Sequence, residues 1–167
     1  MFQPLSATFS LRHVLGLLSL GIVAALGCEV ALAGDQYLDR NGLPVGGHDV
    51  VSYHNEPAPL EGLETVTAVY NDVTWRFATA ENRDLFVADP ARYAPAYDGH
   101  CAYALANDSK ARTDPDAYLV VDDVLYLNFS MSIHRRWLED VSGYLLQSDA
   151  NWPRHEGEPA ARPSRWF

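Results

Sequence analysis

Two stretches constrain what this chain can fold into. "TVTAVYNDVTWRFAT" (Thr65–Thr79) and "AYLVVDDVLYLNF" (Ala117–Phe129) each place β-branched, aromatic and aliphatic residues on both sides of a two-residue polar turn, Asn71-Asp72 and Asp122-Asp123. Strand formers flanking such a pair predict a β-hairpin. The apolar runs of the second are nearly unbroken, which predicts a central pair of strands. Helical signals fall around the hairpins. "TAENRDLFVADP" (Thr79–Pro90) has Thr79 as a cap, Leu85 and Phe86 as an apolar face and Pro90 as a stop. "DPARYAPAY" (Asp89–Tyr97) opens another turn at a proline. "SMSIHRRWLEDVSGYLLQSDANW" (Ser130–Trp152) repeats apolar residues near helical spacing after a serine cap, with a break expected at Gly143. A short strand is expected over "DVVSYH" (Asp49–His54) and a loop over Asn55–Glu64. Hairpins and helices interleave without regular βαβ alternation, so the fold class is α+β: a small single domain whose two β-hairpins form an antiparallel sheet packed by short helices. No internal repeat or heptad pattern is visible.

The first residues read as an address. Arg12 and His13 precede the apolar run Val14–Leu26, and "ALA" (Ala31–Ala33) stands before Gly34. A positive end, a short apolar stretch and an A-x-A site describe a secretory signal peptide over residues 1–33, and the run falls short of the ~20 residues of a membrane span. "ALGC" (Ala25–Cys28) offers a second processing route, a lipoprotein signal in which Cys28 carries a lipid anchor. Either route predicts a periplasmic or secreted protein, or one anchored by lipid outside the cytoplasm. Residues 34–47 read as a polar, turn-rich arm, 48–152 as the domain, and 153–167 as a disordered tail rich in proline and charge.

Cleavage after Ala33 leaves Cys101 alone, in "YDGHCAYALAND" (Tyr97–Asp108). A single cysteine makes no internal disulfide, so packing must hold the core. It points to intermolecular pairing, a metal ligand, a free thiol or a small buried hydrophobe. The chain carries 22 acidic against 12 basic residues, a net charge of −10. Such a surface repels nucleic acid and anionic lipid.

The order "GHDVVSYH", "YNDVTWRFATAENRDLFVADPARYAPAYDGHCAYA", "DAYLVVDDVLYLNF" and "DANWP" resembles the secreted bacterial branch of the YHS-domain family, from about Gly46 to Pro153. Many members elsewhere are cysteine-bearing metal modules with the motif F-C-S-x-x-C-x-x-x-F. The matching stretch "FATAENRDLF" keeps Phe77 and Phe86 but has Ala78 and Asn82 at the cysteine positions, and Ser52 where an earlier family cysteine falls. The usual thiolates are therefore absent. The secreted branch keeps a lone cysteine, here Cys101, and has aromatic residues where this chain has His48, His54 and His100.

Imidazole and thiolate both suit zinc and copper. The expectation is thus a secreted binding module holding a transition metal ion, Cu or Zn, or a small ligand. Cys101, His100, His54 and His48 are the metal ligands, Asp49 and Asp98 support the imidazoles, and Tyr53, Trp75, Tyr97 and Tyr103 are candidates to line a pocket, though not all four, since aromatics at strand or helical spacing are usually core. The alternative is a structural or interaction protein with Cys101 in its core. A thiol enzyme is a third class, but no C-x-x-C, H-E-x-x-H, Walker or dinucleotide motif is present. His134 and His155 are expected at the surface.

Overall fold

The computed structural model describes residues 35–163. The expected signal segment, Cys28 and the last four residues lie outside them. In chain order the elements are α1 (Ser52–Asn55), β1 (Leu63–Tyr70), β2 (Val73–Phe77), α2 (Ala80–Ala88), α3 (Pro90–Tyr93), α4 (Ala102–Ala106), β3 (Asp114–Val121), β4 (Val124–Asn128), α5 (Met131–Trp137) and α6 (Val141–His155). The α+β class is as expected. The two hairpins do not share a ladder, however: β1–β2 and β3–β4 are separate two-stranded antiparallel sheets.

Burial explains the contrast between the two hairpin sequences. Successive strand residues point to opposite faces. In β3–β4, Tyr118, Val120, Leu125 and Leu127 pack into one apolar cluster, while Leu119, Val121 and Tyr126 pack into another. The second hairpin is thus covered on both faces, which its continuous apolar runs require. On β1–β2 the inner face supplies Val66, Ala68, Tyr70, Trp75 and Phe77 to the first cluster. Its outer positions Leu63, Thr65, Thr67 and Val69 are exposed. Trp75, Phe77 and Phe86 form the aromatic centre of that cluster, each contributing about 1.5–3 kcal/mol by burial. Tyr97, Ala102, Leu105 and Trp137 centre the second cluster beneath α6.

The two halves of the domain are the same unit built twice. β1 pairs with β2 as Leu63↔Phe77, slips, then resumes as Thr67↔Arg76 through Tyr70↔Val73. β3 pairs with β4 as Asp114↔Asn128, slips at the same point, then resumes as Tyr118↔Leu127 through Val121↔Val124. Every partner stands 51 residues after its counterpart, from Leu63 and Asp114 onward. Both hairpins turn on two left-handed residues, Asn71-Asp72 and Asp122-Asp123, a conformation Asn and Asp tolerate. Both are followed by a hydroxyl-capped helix, Thr79 accepting from Asn82 N and Ser130 from Ile133 N. Both continue into an aspartate-capped helix, Asp89 accepting from Arg92 N and Asp140 from Gly143 N. Ahead of each hairpin stands a proline-led turn of three left-handed residues, Val45–Gly47 and Tyr97–Gly99, then a histidine and a short helix. The repeat was invisible in the sequence because its carriers are caps, turns and registers, for which Thr replaces Ser and Asn replaces Asp at little cost.

Three further expectations change. "DVVSYH" is a turn leading into α1 and not a strand, because Asp49 Oδ1 accepts from Val51 N and Ser52 Oγ donates to the Asp49 carbonyl; such local bonds compete with a ladder. The break in the last helical region falls at Leu138–Asp140 and not at Gly143. A side chain at Gly143 would collide with the Asp140 carboxylate that caps α6. The expected tail is helical through His155, and its continuation packs back on the domain: Lys110 Nζ donates to the Glu158 carbonyl, and Ala161 N donates to His100.

Candidate functional site

Cys101 opens α4 as its N-cap and is almost wholly buried, 1% exposed. Its Sγ accepts from Ala104 N at 3.4 Å and from Phe129 N at 3.2 Å, and it lies 3.8 Å from Asn128 Oδ1, to which the thiol donates. Burial pushes the thiol pKa up, with the surrounding backbone N–H groups pulling the other way. A buried, protonated thiol is a poor nucleophile and a poor ligand.

His100 is fully buried. Its Nδ1 lies 2.8 Å from the Tyr97 carbonyl, and its Nε2 lies 3.1 Å from Ala161 N. The carbonyl only accepts and the amide only donates, so the ring is neutral with its proton on Nδ1. Its one lone pair is occupied by Ala161. Burial lowers its pKa to about 4. The adjacent residues thus turn to different partners, His100 to the C-terminal segment and Cys101 to the end of β4.

His48 bonds through Nδ1 to the Val45 carbonyl at 3.1 Å, as His100 does to Tyr97 in the second unit. His54 sits in α1 with its side chain 7% exposed. It stands edge-on to Tyr93, and its Nδ1 is 3.5 Å from Asp123 Oδ1, an ion-pair separation without hydrogen-bond alignment. Burial lowers its pKa, Asp123 opposing. Among the described residues, no group of three or more His, Cys, Asp or Glu side chains is arranged to hold a metal ion. The structure therefore does not gather Cys101, His100, His54 and His48 into one ligand set.

The supporting residues also differ from expectation. Asp49 holds no imidazole. Its carboxylate, fully buried, accepts from Val51 N, Ala78 N at 2.9 Å and Asn82 Nδ2 at 2.7 Å. Ser52, Ala78 and Asn82, the positions where the family resemblance would place thiolates, all bond to Asp49, Ser52 through the Asp49 carbonyl. Asp98 holds no imidazole either. It stands in the left-handed turn with Oδ2 buried and unpartnered, and burial raises its pKa. The four aromatics divide between the clusters and line no common pocket: Tyr53 and Trp75 belong to the first, Tyr97 and Tyr103 to the second.

Asn128 and His134 are the neighbours of Cys101 that the sequence did not reveal. Asn128 Oδ1 accepts from Tyr103 N at 3.3 Å and from the thiol, and its Nδ2 donates to His134 Nδ1 at 3.4 Å. His134, expected at the surface, is buried, as is His155, which bridges Asp108 and Glu158. Asn128 stands between the cysteine and His134, so the thiol proton is donated to the amide oxygen and not to that imidazole. The only sequence hint was Asn128 itself, an amide at the inward end of an apolar strand. Comparison with protein-family models, with curated proteins and with solved structures finds no match to this chain. The family resemblance rests on the residues quoted for it.

Proposed function

We propose that this protein is a non-catalytic interaction module acting outside the cytoplasm, with Cys101 serving the fold. One correspondence carries the reading. Asp49 and Cys101 each follow the histidine of their unit, accept from a backbone N–H two or three residues on (Val51 N before α1, Ala104 N in α4), and accept from the backbone just after their hairpin, at Ala78 N and Phe129 N. The thiol is the second unit's version of a structural carboxylate. Further support comes from His100, whose ring nitrogens are both committed within the domain.

Thiol accessibility and metal titration on the full chain carrying Cys28→Ser test this. Cys101 should stay unreactive to a thiol reagent until the chain is unfolded. Cu(I), Cu(II) and Zn(II) should show no stoichiometric binding. Stoichiometric binding lost in both Cys101→Ser and His100→Ala would establish the transition-metal reading in its place. A Cys101 thiol that reacts at full rate in the folded chain would return it to thiol chemistry.

A further inference from the structure

We infer that the groove between the β3–β4 turn and the α5–α6 corner docks a basic, apolar-faced segment of a partner protein, an inference that rests on the interaction reading above. The groove is open to solvent, with a volume of about 680 Å³, and the titratable residues lining it are all acidic: Asp122, Glu139, Asp140 and Asp149. Two of them already serve the fold. Asp140 caps α6 through Gly143 N, and Asp149 accepts from the Tyr97 hydroxyl at 2.7 Å. The Asp122 and Glu139 side chains are exposed and make no hydrogen bond or ion pair among the described residues. The neighbouring Arg136 lies beside Tyr103 and does not line the groove, although Glu139 is among the charges that act on it.

Between these carboxylates the surface is apolar. Leu145 lies along the groove, and Leu138 and Leu146 flank it, 45% and 74% exposed. These leucines give the acidic groove an apolar flank, and an apolar patch rimmed by polar residues is the pattern of an interaction surface. The repeat sharpens the point. α3 stops at Tyr93, whereas α6 continues to His155. Leu145, Leu146 and Asp149 lie on that continuation, so one wall of the groove belongs to the part of the second unit that the first lacks.

The chemistry names the occupant. The acidic lining calls for Lys or Arg, and the leucines beside it call for an apolar stripe. A shallow groove open to solvent takes a helix or extended segment laid along it and not an enclosed small molecule. The chain's net charge of −10 would steer a basic partner toward it.

The probe is a short synthetic peptide with Arg on one helical face and Leu on the other, compared with a matched peptide carrying Glu for Arg. Each is titrated against the full chain by fluorescence anisotropy at low and raised salt. The Arg/Leu peptide should bind, and salt should weaken it. The pair Asp122→Asn with Glu139→Gln should weaken binding by up to about tenfold, the sum of two exposed charge pairs. Leu146→Ser should weaken it independently. All three positions are exposed, so thermal melts should be unchanged, which separates lost docking from lost folding. No binding, equal binding of the Glu peptide, or binding indifferent to both variants overturns the inference. The interaction reading fails on other grounds, the thiol and metal titrations. A chain silent to metal that also ignores the peptide loses only this groove.

Discussion

Cys101 and Asp49 do the same work with different atoms, and their substitutions should differ accordingly. Cys101→Ala strands the Phe129 and Ala104 amides. With each buried unpaired donor costing about 1–3 kcal/mol, the loss should be about 2–4 kcal/mol in urea unfolding. Cys101→Ser keeps an acceptor at the position and should lose about half as much. Asp49→Ala strands Val51 N, Ala78 N and the Asn82 amide together. It should be the more damaging change, costing at least about 3 kcal/mol. The candidate site was only partly legible at this scale. Residue type marked Cys101 and His100 as unusual, but type does not say where a ring nitrogen points. The Ala161 amide that fills the His100 lone pair comes from a segment that composition alone marked as a tail.

At the level of elements, hairpins and helix caps were legible because their signals are local: a two-residue turn, a hydroxyl three residues before an amide, a proline at the first turn of a helix. What joins the elements was not. Two hairpins were expected to form one sheet, yet each closes on itself and they meet only through side chains, since nothing in a strand's sequence names its neighbour. The equivalence of the units makes a paired prediction. Thr79→Ala and Ser130→Ala remove the same cap from α2 and α5 and should each cost about 1 kcal/mol, measured as matched shifts in the denaturation midpoint. Gly62 tests the close approach at the foot of β1. A side chain there would meet the Arg76 backbone at 2.6 Å, and Gly62→Ala should cost about 1–3 kcal/mol by overpacking.

For the whole molecule, buried imidazoles tie stability to pH. His100, His54 and His134 all have pKa values lowered by burial, His100 to about 4. The unfolded chain takes up these protons near pH ~6.5, while the folded chain resists them. Their contribution is whole above that pH and erodes as pH falls toward about 4, where the folded His100 also protonates. His155 acts in the opposite sense: Glu158 and Asp108 raise its pKa, so its contribution is full at low pH and fades as pH rises through its folded value. Three groups outweigh one, and the urea midpoint should fall between pH 7 and pH 5. His100→Gln should flatten that slope, though at a loss of stability at neutral pH. The burial of β3–β4 on both faces, against one face for β1–β2, also ranks the parts of the molecule by how readily they open. Amide protons of the inner hairpin can reach solvent only when both clusters come apart, whereas the outer hairpin opens by losing one. Hydrogen exchange should therefore proceed in layers, β1–β2 first and Leu119–Val121 with Leu125–Leu127 last, the slowest amides reporting the free energy of complete unfolding.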